Sequence, residues 1–440
     1  MRVTMIGTGY VGLVSGVCFS EFGFDVTCVD IDETKIATLN ELKSPIYEPG
    51  LDELIERNYK AGRLTFTTDF DKAVAEADVV FVAVGTPSRR GDGEADLSYV
   101  FEAAKRIAHA MRPETVIVIK STVVVGTCRK VHDIIAAERP GVAFSIASNP
   151  EFLREGSAIE DFMRPDRVIV GVEDERGEKA LRHLYRPLYL RETPIMVTSL
   201  ENAEITKYAA NAFLAMKITF INEIANLCEK VGGDVQQIAT GIGLDKRIGP
   251  KFLHAGPGYG GSCFPKDTNA FAATGRKAGA PQLLVETTIE VNEARKRAMA
   301  DRILEALGPN PAGKAVGVLG IAFKPNTDDV RDAPSLVIVP RLVGAGVKVR
   351  AHDPEAREQA TPLLPGLEWC DQPYDVARDA DVIVVLTEWN VYRGLDLRRI
   401  AAAMAGKTIV DLRNIYRPQD VEDAGLGYVS VGKKGMSSAC

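Results

Sequence analysis

Short apolar runs alternate with helix-like stretches along most of this 440-residue chain. The first runs are RVTMIG, FDVTCVD and ADVVFVAVG, and the next are TVIVIK, AFSIASNP and DRVIVGV. A strand that is apolar on both faces belongs inside a parallel sheet that helices cover on both sides. The alternation therefore predicts an α/β fold built on a doubly wound parallel sheet.

The middle of the chain has a different pattern. ENAEITKYAANAFLAMKITFINEIANLCEKVG predicts one helix of roughly 30 residues, and a second long helix is predicted over residues 284–307. After GPNPAGK, which has the composition of a linker, the alternation resumes with KAVGVLG, VKVRAHD, DADVIVVLT and KTIVDLRN. We predict two doubly wound Rossmann-like domains joined by a long central helix and a helical middle segment, with boundaries at 1–196, 197–307 and 308–440.

Composition narrows the class of partner and the compartment. A net charge of -7 argues against nucleic acid or an anionic membrane as the main partner, because both attract basic surfaces. The N-terminus lacks the pattern of a signal peptide, and no apolar run approaches the ~18 residues that span a bilayer. We therefore expect a cytoplasmic protein that binds a small molecule.

The seven cysteines are scattered and never spaced as CxxC. This spacing argues against a zinc site or a disulfide framework, so no metal is predicted. Six of the cysteines have the surroundings of ordinary small apolar residues. Cys263 differs because of its neighbours in the sequence.

A glycine fingerprint follows the first strand. Gly7, Gly9 and Gly12 form G-x-G-x-x-G at the start of a helix, where backbone N–H groups can hold a dinucleotide pyrophosphate. Asp30 ends the second strand, and a carboxylate there binds the adenosine ribose and repels the extra phosphate of NADP. The cofactor is therefore predicted to be NAD. The alternative is that the glycines serve tight packing alone, and Lys35 by itself has the pattern of a solvated helix residue.

The segment FLHAGPGYGGSCFPKD, residues 252–267, places four glycines ahead of Cys263, namely Gly256, Gly258, Gly260 and Gly261. Glycine lets a backbone come close to a ligand. A thiol just beyond, with Lys266 nearby to favour its thiolate, has the surroundings of a nucleophile. The alternative is a structural loop around a buried thiol.

Three more sets of polar residues are candidates for the site. Lys207 and Asn211 lie four residues apart and share one face of the central helix, although each is also consistent with an ordinary solvated or locally paired residue. SNPEFLREGSAIED and GIAFKPNTDDVRDAPS each follow a strand end, where ligands gather in open parallel sheets. Lys324 and Arg331 in the second loop suit a phosphorylated ligand.

Taken in order, these segments resemble the UDP-glucose 6-dehydrogenase family, within the wider group of nucleotide-sugar dehydrogenases. The likeness runs from GTGYVGL through VGTPS, NPEFLREG, KYAANAFLAMKITFINE and GYGGSCFPKD to GIAFKPNTDDVRDAPS, which is nearly the whole chain. The resemblance implies a four-electron oxidation of UDP-glucose to UDP-glucuronate by two NAD molecules.

The resemblance also implies roles for individual residues. Cys263 is the nucleophile that traps the aldehyde as a thiohemiacetal, and a second oxidation gives a thioester that water hydrolyses. Lys207 and Asn211 stabilise negative charge on the substrate oxygen. Asp267 takes part in proton transfer, and the residues that help to hold the water are Thr122 and Glu151. Whether Asp267 or Glu151 is the main base is left open.

The binding residues implied by the resemblance form two sets. The cofactor contacts are Gly7, Gly9, Tyr10, Val11, Gly12, Asp30, Lys35, Thr86, Thr122, Glu155, Lys266 and Arg331. The substrate contacts are Glu151, Phe152, Leu153, Arg154, Glu155, Lys207, Asn211, Arg247, Phe252, Leu253, His254, Ala255, Gly256, Gly260 and Lys324. Because Arg247 resembles an arginine that reaches the neighbouring subunit, at least a homodimer built on the central helix is expected.

Alternative functions are distinguished from this one by specific residues. Dehydrogenases of GDP-mannose tend to have leucine where this chain has Phe264, and those of UDP-N-acetylhexosamines tend to lack the lysine at Lys266. A simple two-electron dehydrogenase would have no use for Cys263. A nucleotide-sensing protein that keeps only the fold would not need Cys263, Lys207 and Asp267 together.

Overall fold

The computed structural model describes residues 1–89 and 93–433, with Leu190 described by its backbone alone. The chain divides into two compact units. The first contains residues 1–210 and 273–280, and the second contains residues 211–272 and those from 281 onward. Among the described residues, no helix combines the length and the apolar character needed to cross a membrane.

Eight strands of the described residues form the sheet of the first unit, in the order β3-β2-β1-β4-β5-β6-β7-β8. They are β1 (Arg2–Ile6), β2 (Asp25–Val29), β3 (Leu64–Thr67), β4 (Val79–Val82), β5 (Val116–Ile119), β6 (Ser145–Ser148), β7 (Val168–Val172) and β8 (Ile195–Thr198). The order turns from β1 to β4, which is the switch point where open α/β sheets bind ligands.

Alternate residues of the strand β4 pack into two separate apolar clusters. Val79 and Phe81 of β4 pack into one apolar cluster, whereas Val80 and Val82 pack into another. The helices that cover the sheet are α1 (Tyr10–Glu21), α2 (Glu33–Asn40), α3 (Leu51–Lys60), α4 (Phe70–Glu76), α5 (Ser98–Ala110), α6 (Thr127–Glu138), α7 (Ala158–Met163) and α8 (Glu175–Leu184). The predicted doubly wound arrangement is confirmed, because both faces of the sheet are buried.

One pairing departs from the parallel sheet that the sequence predicts. β6 and β7 are antiparallel, whereas β7 and β8 are again parallel. The connection from β6 to β7 contains only a loop and the six-residue α7, so the chain turns back at the same edge instead of crossing over. The loop that carries Glu151 therefore starts at the carboxyl end of β6.

The middle of the chain is helical, as predicted. The long helix α9 (Leu200–Val231) has 32 residues, and it is followed by α10 (Val235–Gly243), α11 (Phe264–Lys277) and the 25-residue α12 (Leu283–Leu307). Within the part of the chain that the structure describes, two short 3-10 helices occur, at Arg186–Arg191 and Pro373–Ala377.

The sheet of the second unit has the order β11-β10-β9-β12-β13-β14, and its pairings are parallel. Its strands are β9 (Ala315–Leu319), β10 (Lys348–His352), β11 (Glu368–Trp369), β12 (Val382–Val385), β13 (Thr408–Asp411) and β14 (Gly427–Ser430). The remaining helices are α13 (Ser335–Gly344), α14 (Arg357–Ala360), α15 (Asn390–Arg393), α16 (Leu397–Ala403) and α17 (Pro418–Asp423). The second Rossmann-like sheet is therefore confirmed.

Candidate active site

The three glycines of the fingerprint have different structural roles. Gly7 has a left-handed backbone with φ +98°, and a Cβ there would lie 2.7 Å from the carbonyl oxygen of Ala83. A Cβ on Gly12 would lie 1.9 Å from the carbonyl oxygen of Gly7. A Cβ on Gly9 would have no atom within 4 Å. Gly7 and Gly12 are thus needed for packing, and Gly9 leaves open space at the N-terminus of α1 that fits a pyrophosphate.

Asp30 stands at the end of β2 beside this turn. Its Oδ2 accepts hydrogen bonds of 2.7 Å from both the backbone N–H and the hydroxyl of Thr8. Burial raises the pKa of Asp30, but these bonds outweigh it and leave the pKa below its usual range. The carboxylate is therefore charged at neutral pH, as discrimination against NADP requires. Lys35 is partly exposed and faces Asp32, with Nζ 4.0 Å from Oδ2.

Thr86 and Thr122 follow neighbouring strands and meet at the same edge of the sheet. The Thr86 hydroxyl donates a 2.9 Å hydrogen bond to the carbonyl oxygen of Thr122. Tyr10 and Val11 occupy the first turn of α1. The fold thus places several predicted cofactor residues at the carboxyl ends of β1, β4 and β5 in the first unit.

Lys207 and Glu151 form a buried ion pair. The distance from Lys207 Nζ to Glu151 Oε1 is 3.1 Å, and each side chain is 4% exposed. Lys207 Nζ also lies 5.2 Å from the ring centroid of Phe152. The backbone N–H of Leu153 donates to Glu151, which bends the loop back on itself. Lys207 is therefore part of a fixed, desolvated cluster, and its reading as a solvated lysine is wrong.

The remaining residues of this loop are held locally. The Arg154 guanidinium binds both carboxylate oxygens of Asp161, with Nε to Oδ2 at 2.9 Å and Nη2 to Oδ1 at 2.6 Å, and the Arg154 backbone N–H donates to Oδ2 at 2.8 Å. Glu155 follows directly in the chain. Direct contact of Arg154 or Glu155 with a ligand stays a prediction.

A buried lysine that sequence reasoning missed supports the Glu151 loop. Lys120, at the end of β5, donates hydrogen bonds to Asn149 Oδ1 at 3.1 Å and to the Tyr185 hydroxyl at 3.3 Å. Asn149 is two residues before Glu151, and its Nδ2 donates to the carbonyl oxygen of Ile169 at 2.9 Å. Burial lowers the pKa of Lys120 to about 8. The only sequence signal was a lysine that ends an otherwise apolar strand.

Cys263 stands at the N-terminus of α11 in the second unit. Its carbonyl oxygen accepts the first helical hydrogen bond, from the N–H of Asp267 at 2.8 Å. The thiol is partly exposed, whereas Cys18, Cys28, Cys128 and Cys228 are buried. A helix N-terminus favours a thiolate. The reading of this segment as a loop around a buried thiol is therefore wrong.

Asp267 is 1% exposed and has two polar partners in this unit. Asn211 Nδ2 donates a 2.6 Å hydrogen bond to its Oδ2, and Lys266 pairs with its Oδ1. The structure thus brings together Asn211, Lys266 and Asp267 next to the helix end that carries Cys263. Helix α9 also carries Lys207 one turn before Asn211.

Side chains from two helices hold the backbone of the glycine-rich segment. Asn222 Oδ1 accepts a hydrogen bond from the N–H of Gly256 at 2.8 Å, and Arg295 Nε donates to the carbonyl oxygen of Gly256 at 3.0 Å. Asn292 bonds both backbone groups of Tyr259, at 2.8 Å and 3.1 Å. These three residues were missed because a polar residue within a helix usually indicates a solvated face.

The glycines of this segment also have a packing role that the sequence did not reveal. A Cβ on Gly258 would lie 2.9 Å from Asn292 Oδ1, and one on Gly260 would lie 2.4 Å from the carbonyl oxygen of Asp332. A Cβ on Gly261 would meet the Phe323 ring at 2.7 Å. At these three positions glycine is needed for packing against the protein's own atoms, and contact of Gly260 with the substrate stays a prediction.

A cavity of about 370 Å³ opens beside α10 in the second unit. Leu253, His254 and Ala255, all predicted substrate contacts, line it. Arg413, which follows β13, lines it as well and was missed by the sequence reasoning. Its guanidinium donates to the carbonyl oxygens of Leu386 at 2.7 Å and Phe323 at 3.0 Å, so the side chain is fixed in place.

The other predicted basic residues have local partners. Arg331 binds Asp329 through Nε at 2.8 Å and Nη2 at 2.9 Å, and Lys324 Nζ lies 5.5 Å from the ring centroid of Phe323. Arg247 is 89% exposed and pairs with Asp245 at 2.6 Å.

Phe252 has a left-handed backbone with φ +65°. In the described ranges 1–89 and 93–433, no group of three or more His, Cys, Asp or Glu side chains is arranged to hold a metal ion.

The two sheets and the cysteine segment correspond to the domains of one protein family. Residues 1–189 match the NAD binding domain of the UDP-glucose/GDP-mannose dehydrogenase family, residues 201–294 match its central domain, and residues 317–418 match its UDP binding domain. The chain belongs to the UDP-glucose/GDP-mannose dehydrogenase family.

Relatives of this dehydrogenase cover almost its whole length. It is 55% identical to UDP-glucose 6-dehydrogenase of Rhizobium meliloti (strain 1021), over 98% of this chain and 100% of the relative. It is 46% identical to UDP-glucose 6-dehydrogenase TuaD of Bacillus subtilis (strain 168), over 98% of this chain and 93% of the relative. The structure of a UDP-glucose dehydrogenase from Pyrobaculum islandicum matches with a TM-score of 0.91 and 39% identity, over 98% of each chain.

These comparisons confirm the predicted family, the fold class and NAD as the cofactor of this dehydrogenase. Binding of a UDP-sugar is supported in the same way by its UDP binding domain. The roles of individual residues, the three domain boundaries, the homodimer and the cytoplasmic location stay predictions.

Proposed function

We propose that this dehydrogenase oxidises UDP-glucose to UDP-glucuronate, with two NAD molecules reduced for each sugar. The observation that carries the proposal is the partly exposed thiol of Cys263 at the N-terminus of α11, four residues before the buried carboxylate of Asp267. A two-electron dehydrogenase needs no such nucleophile. The relatives that share about half of its residues are UDP-glucose 6-dehydrogenases.

The cofactor is held by the residues that begin the chain. Gly9 leaves room for the pyrophosphate, and the charged Asp30 binds the ribose hydroxyls and excludes the phosphate of NADP. Bound NAD supplies the hydride acceptor for each of the two oxidations.

Lys207 and Asn211 act on the oxygen of the sugar carbon that is oxidised. Both side chains are buried donors with fixed partners, so they need little reorganisation when negative charge develops on that oxygen. Donors of this kind typically lower a barrier by ~3 to 4 kcal/mol each. Asp267 or Glu151 accepts the alcohol proton.

Cys263 forms the covalent intermediate. Its sulfur adds to the aldehyde carbon, and the aldehyde oxygen gains a proton to give a thiohemiacetal. Loss of a hydride and of that proton gives a thioester. Attack by water then breaks the carbon–sulfur bond, releasing the carboxylate and restoring the thiol. Thr122 and Glu151 are proposed to hold this water.

The nucleotide of the substrate belongs to the second unit. The 370 Å³ cavity beside α10 combines backbone of residues 253–255 with the fixed guanidinium of Arg413, a donor set that suits a base and a diphosphate. Lys324, a predicted substrate contact, adds another positive charge in the second unit.

A homodimer is the proposed assembly. Phe213, Phe220 and Leu227 are 57%, 49% and 56% exposed and repeat every seven residues, so they form one apolar face of α9. A second copy of the chain covering this face would remove it from water, and the exposed Arg247 is proposed to reach the partner's site.

Coupled measurement of sugar consumption and NADH tests the reaction. We expect two NADH and one UDP-glucuronate for each UDP-glucose, and one NADH with an aldehyde product would contradict the thioester route. Cys263→Ser should lower the overall rate at least about a hundredfold, because a serine hydroxyl is a weaker nucleophile than a thiolate and its oxygen ester hydrolyses more slowly than a thioester. Cys370→Ser, at the other partly exposed thiol of the described residues, is the matched control, and its overall rate should be unchanged.

The sugar is tested by offering UDP-glucose, GDP-mannose and UDP-N-acetylglucosamine in turn with NAD. A higher kcat/KM for either of the other two sugars would contradict the assignment of UDP-glucose.

A further inference from the structure

Glu48 is a buried carboxylate that neither the sequence reasoning nor the proposed mechanism uses. It lies between α2 and α3 and is 7% exposed. Its Oε1 accepts from the N–H groups of Ala158 at 2.7 Å and Ile159 at 3.4 Å. Its Oε2 accepts from the N–H of Gly156 at 2.7 Å and from the hydroxyl of Tyr10.

These partners belong to two different segments of the first unit. Tyr10 is the first residue of α1, directly after Gly9 of the glycine turn. Gly156, Ala158 and Ile159 end the loop of residues 151–157 and begin α7. The Gly156 N–H also lies 2.8 Å from the Tyr10 hydroxyl, so the three groups form one closed network.

The start of α7 depends on Glu48. Ser157, the residue at the N-cap position, makes no capping bond with its own side chain. The backbone N–H groups there are bonded instead by a carboxylate about 110 residues earlier in the chain. The position of the 151–157 loop is therefore tied to the position of the glycine turn.

The Tyr10 hydroxyl keeps its proton over a wide pH range. Burial, followed by the neighbouring Glu48 carboxylate, raises the pKa of Tyr10 well above its usual range. The hydroxyl therefore stays a donor to Glu48 at any pH at which the enzyme works.

We propose that Glu48 and Tyr10 are positioning residues that couple NAD binding at the glycine turn to UDP-sugar binding at the 151–157 loop. The inference rests on the proposed function, which assigns these two loops to the two ligands. Because Glu48 bonds both segments, a ligand that moves one of them into its bound position moves the other with it, so the second ligand meets a loop that is already in place. The coupling is therefore positive and reciprocal.

Calorimetry of the whole enzyme tests the coupling with UDP-glucose and NADH, a pair that cannot react. In the parent enzyme, saturating NADH should lower the Kd of UDP-glucose at least about fivefold, and UDP-glucose should lower the Kd of NADH by the same factor. Tyr10→Phe should bring both factors close to one. Glu48→Gln should do the same, and the double variant should lose no more than either single variant.

Tyr392→Phe is the matched control. It removes a buried hydroxyl that donates to the carbonyl oxygen of His352 at 2.7 Å in the second sheet, and should leave the coupling unchanged. Equal coupling in Tyr10→Phe and the parent, or no coupling in the parent, would overturn the inference. Formation of NADH from UDP-glucose by the parent is measured alongside, so a failure of the proposed function is recognised separately.

Discussion

At the scale of single residues, similar side chains do different things according to where the backbone places them. Gly7 and Gly12 face protein atoms at less than 3 Å, whereas Gly9 faces open space. Lys120 and Lys207 are buried among polar partners, whereas Lys35 is partly exposed. These differences make single substitutions informative.

Gly9→Ala should separate cofactor binding from folding. The added methyl meets no protein atom, so the free energy of unfolding should change by less than about 1 kcal/mol. The methyl would occupy the space proposed for the pyrophosphate, so the KM for NAD should rise at least about tenfold. Gly241→Ala, at an exposed α10 position also without neighbours within 4 Å, should leave that KM unchanged. An unaltered KM in Gly9→Ala would contradict the cofactor site.

Lys120 should make stability depend on pH in the alkaline range. Burial lowers its pKa from 10.5 to about 8, so below pH 8 the folded state bears the cost of a buried ammonium. Between these two values the unfolded chain keeps the proton that the folded chain has released. The free energy of unfolding should therefore rise with pH, by up to about 1.4 kcal/mol per pH unit.

Urea unfolding of the parent and Lys120→Met at about pH 7.5 and 9.5 measures this effect. The stability of the parent relative to Lys120→Met should increase by roughly 1 to 2 kcal/mol between the two conditions. Lys35→Met, at a partly exposed lysine, serves as the control in which no buried ammonium is removed. A difference between the parent and Lys120→Met that does not change with pH would mean that the Lys120 ammonium is not desolvated.

At the scale of elements, the glycine-rich segment before α11 is fixed by side chains of α9 and α12. Asn222, Asn292 and Arg295 bond the backbone of Gly256 and Tyr259, and three glycines let the segment pack against its neighbours. Cys263 follows at the end of this rigid segment. Its position is therefore determined by contacts several residues away from the thiol.

Gly260→Ala should show this dependence. The new Cβ would lie 2.4 Å from one backbone atom and 2.9 Å from another, and neither can rotate away. We expect a loss of roughly 1 to 3 kcal/mol in the free energy of unfolding and a kcat at least about tenfold lower, because the nucleophile shifts. Gly344→Ala, in α13 with no atom within 4 Å, is the control. Normal kcat in Gly260→Ala would show that the segment tolerates displacement.

The elements also show what a sequence can predict. Fully apolar strands such as β4 and β5 and the long helices α9 and α12 were predicted, because their patterns are long or uniform. The strands β3 and β8 lie at the two edges of the sheet and were missed. β3 alternates apolar and polar residues, and β8 is an apolar run of only three residues followed by a threonine. The proposed catalytic segment was found from its local glycines. Its supports in α9 and α12 could not be predicted, since nothing in sequence spacing pairs Asn292 with Tyr259.

At the scale of the whole molecule, the exposed apolar face of α9 is the basis of the proposed homodimer. Phe213, Phe220 and Leu227 together expose an apolar stripe of a kind that marks an interaction surface. The exposed Arg247 is proposed to reach the active site of the partner subunit. Loss of the dimer should therefore also lower the enzyme's activity.

Phe220→Glu should convert the enzyme to monomers and lower its activity, because a carboxylate on this face would be buried against a second copy without a partner. Sedimentation equilibrium at micromolar concentration, with a parallel rate assay, measures both. Tyr99→Glu, at an exposed aromatic residue of α5, is the matched control and should stay dimeric. A parent enzyme that is itself monomeric would contradict the dimer.

The distribution of thiols makes this protein convenient for spectroscopy. Burial raises the pKa of four thiols, those of Cys18, Cys28, Cys128 and Cys228. Because the thiolate is the reactive form, these four of the seven cysteines are protected from alkylating reagents. With Cys370 and Cys440 replaced by serine, a maleimide dye should attach at Cys263 alone. Substrate that occupies the catalytic centre would then slow labelling, and the fluorescence trace would report occupancy without any turnover.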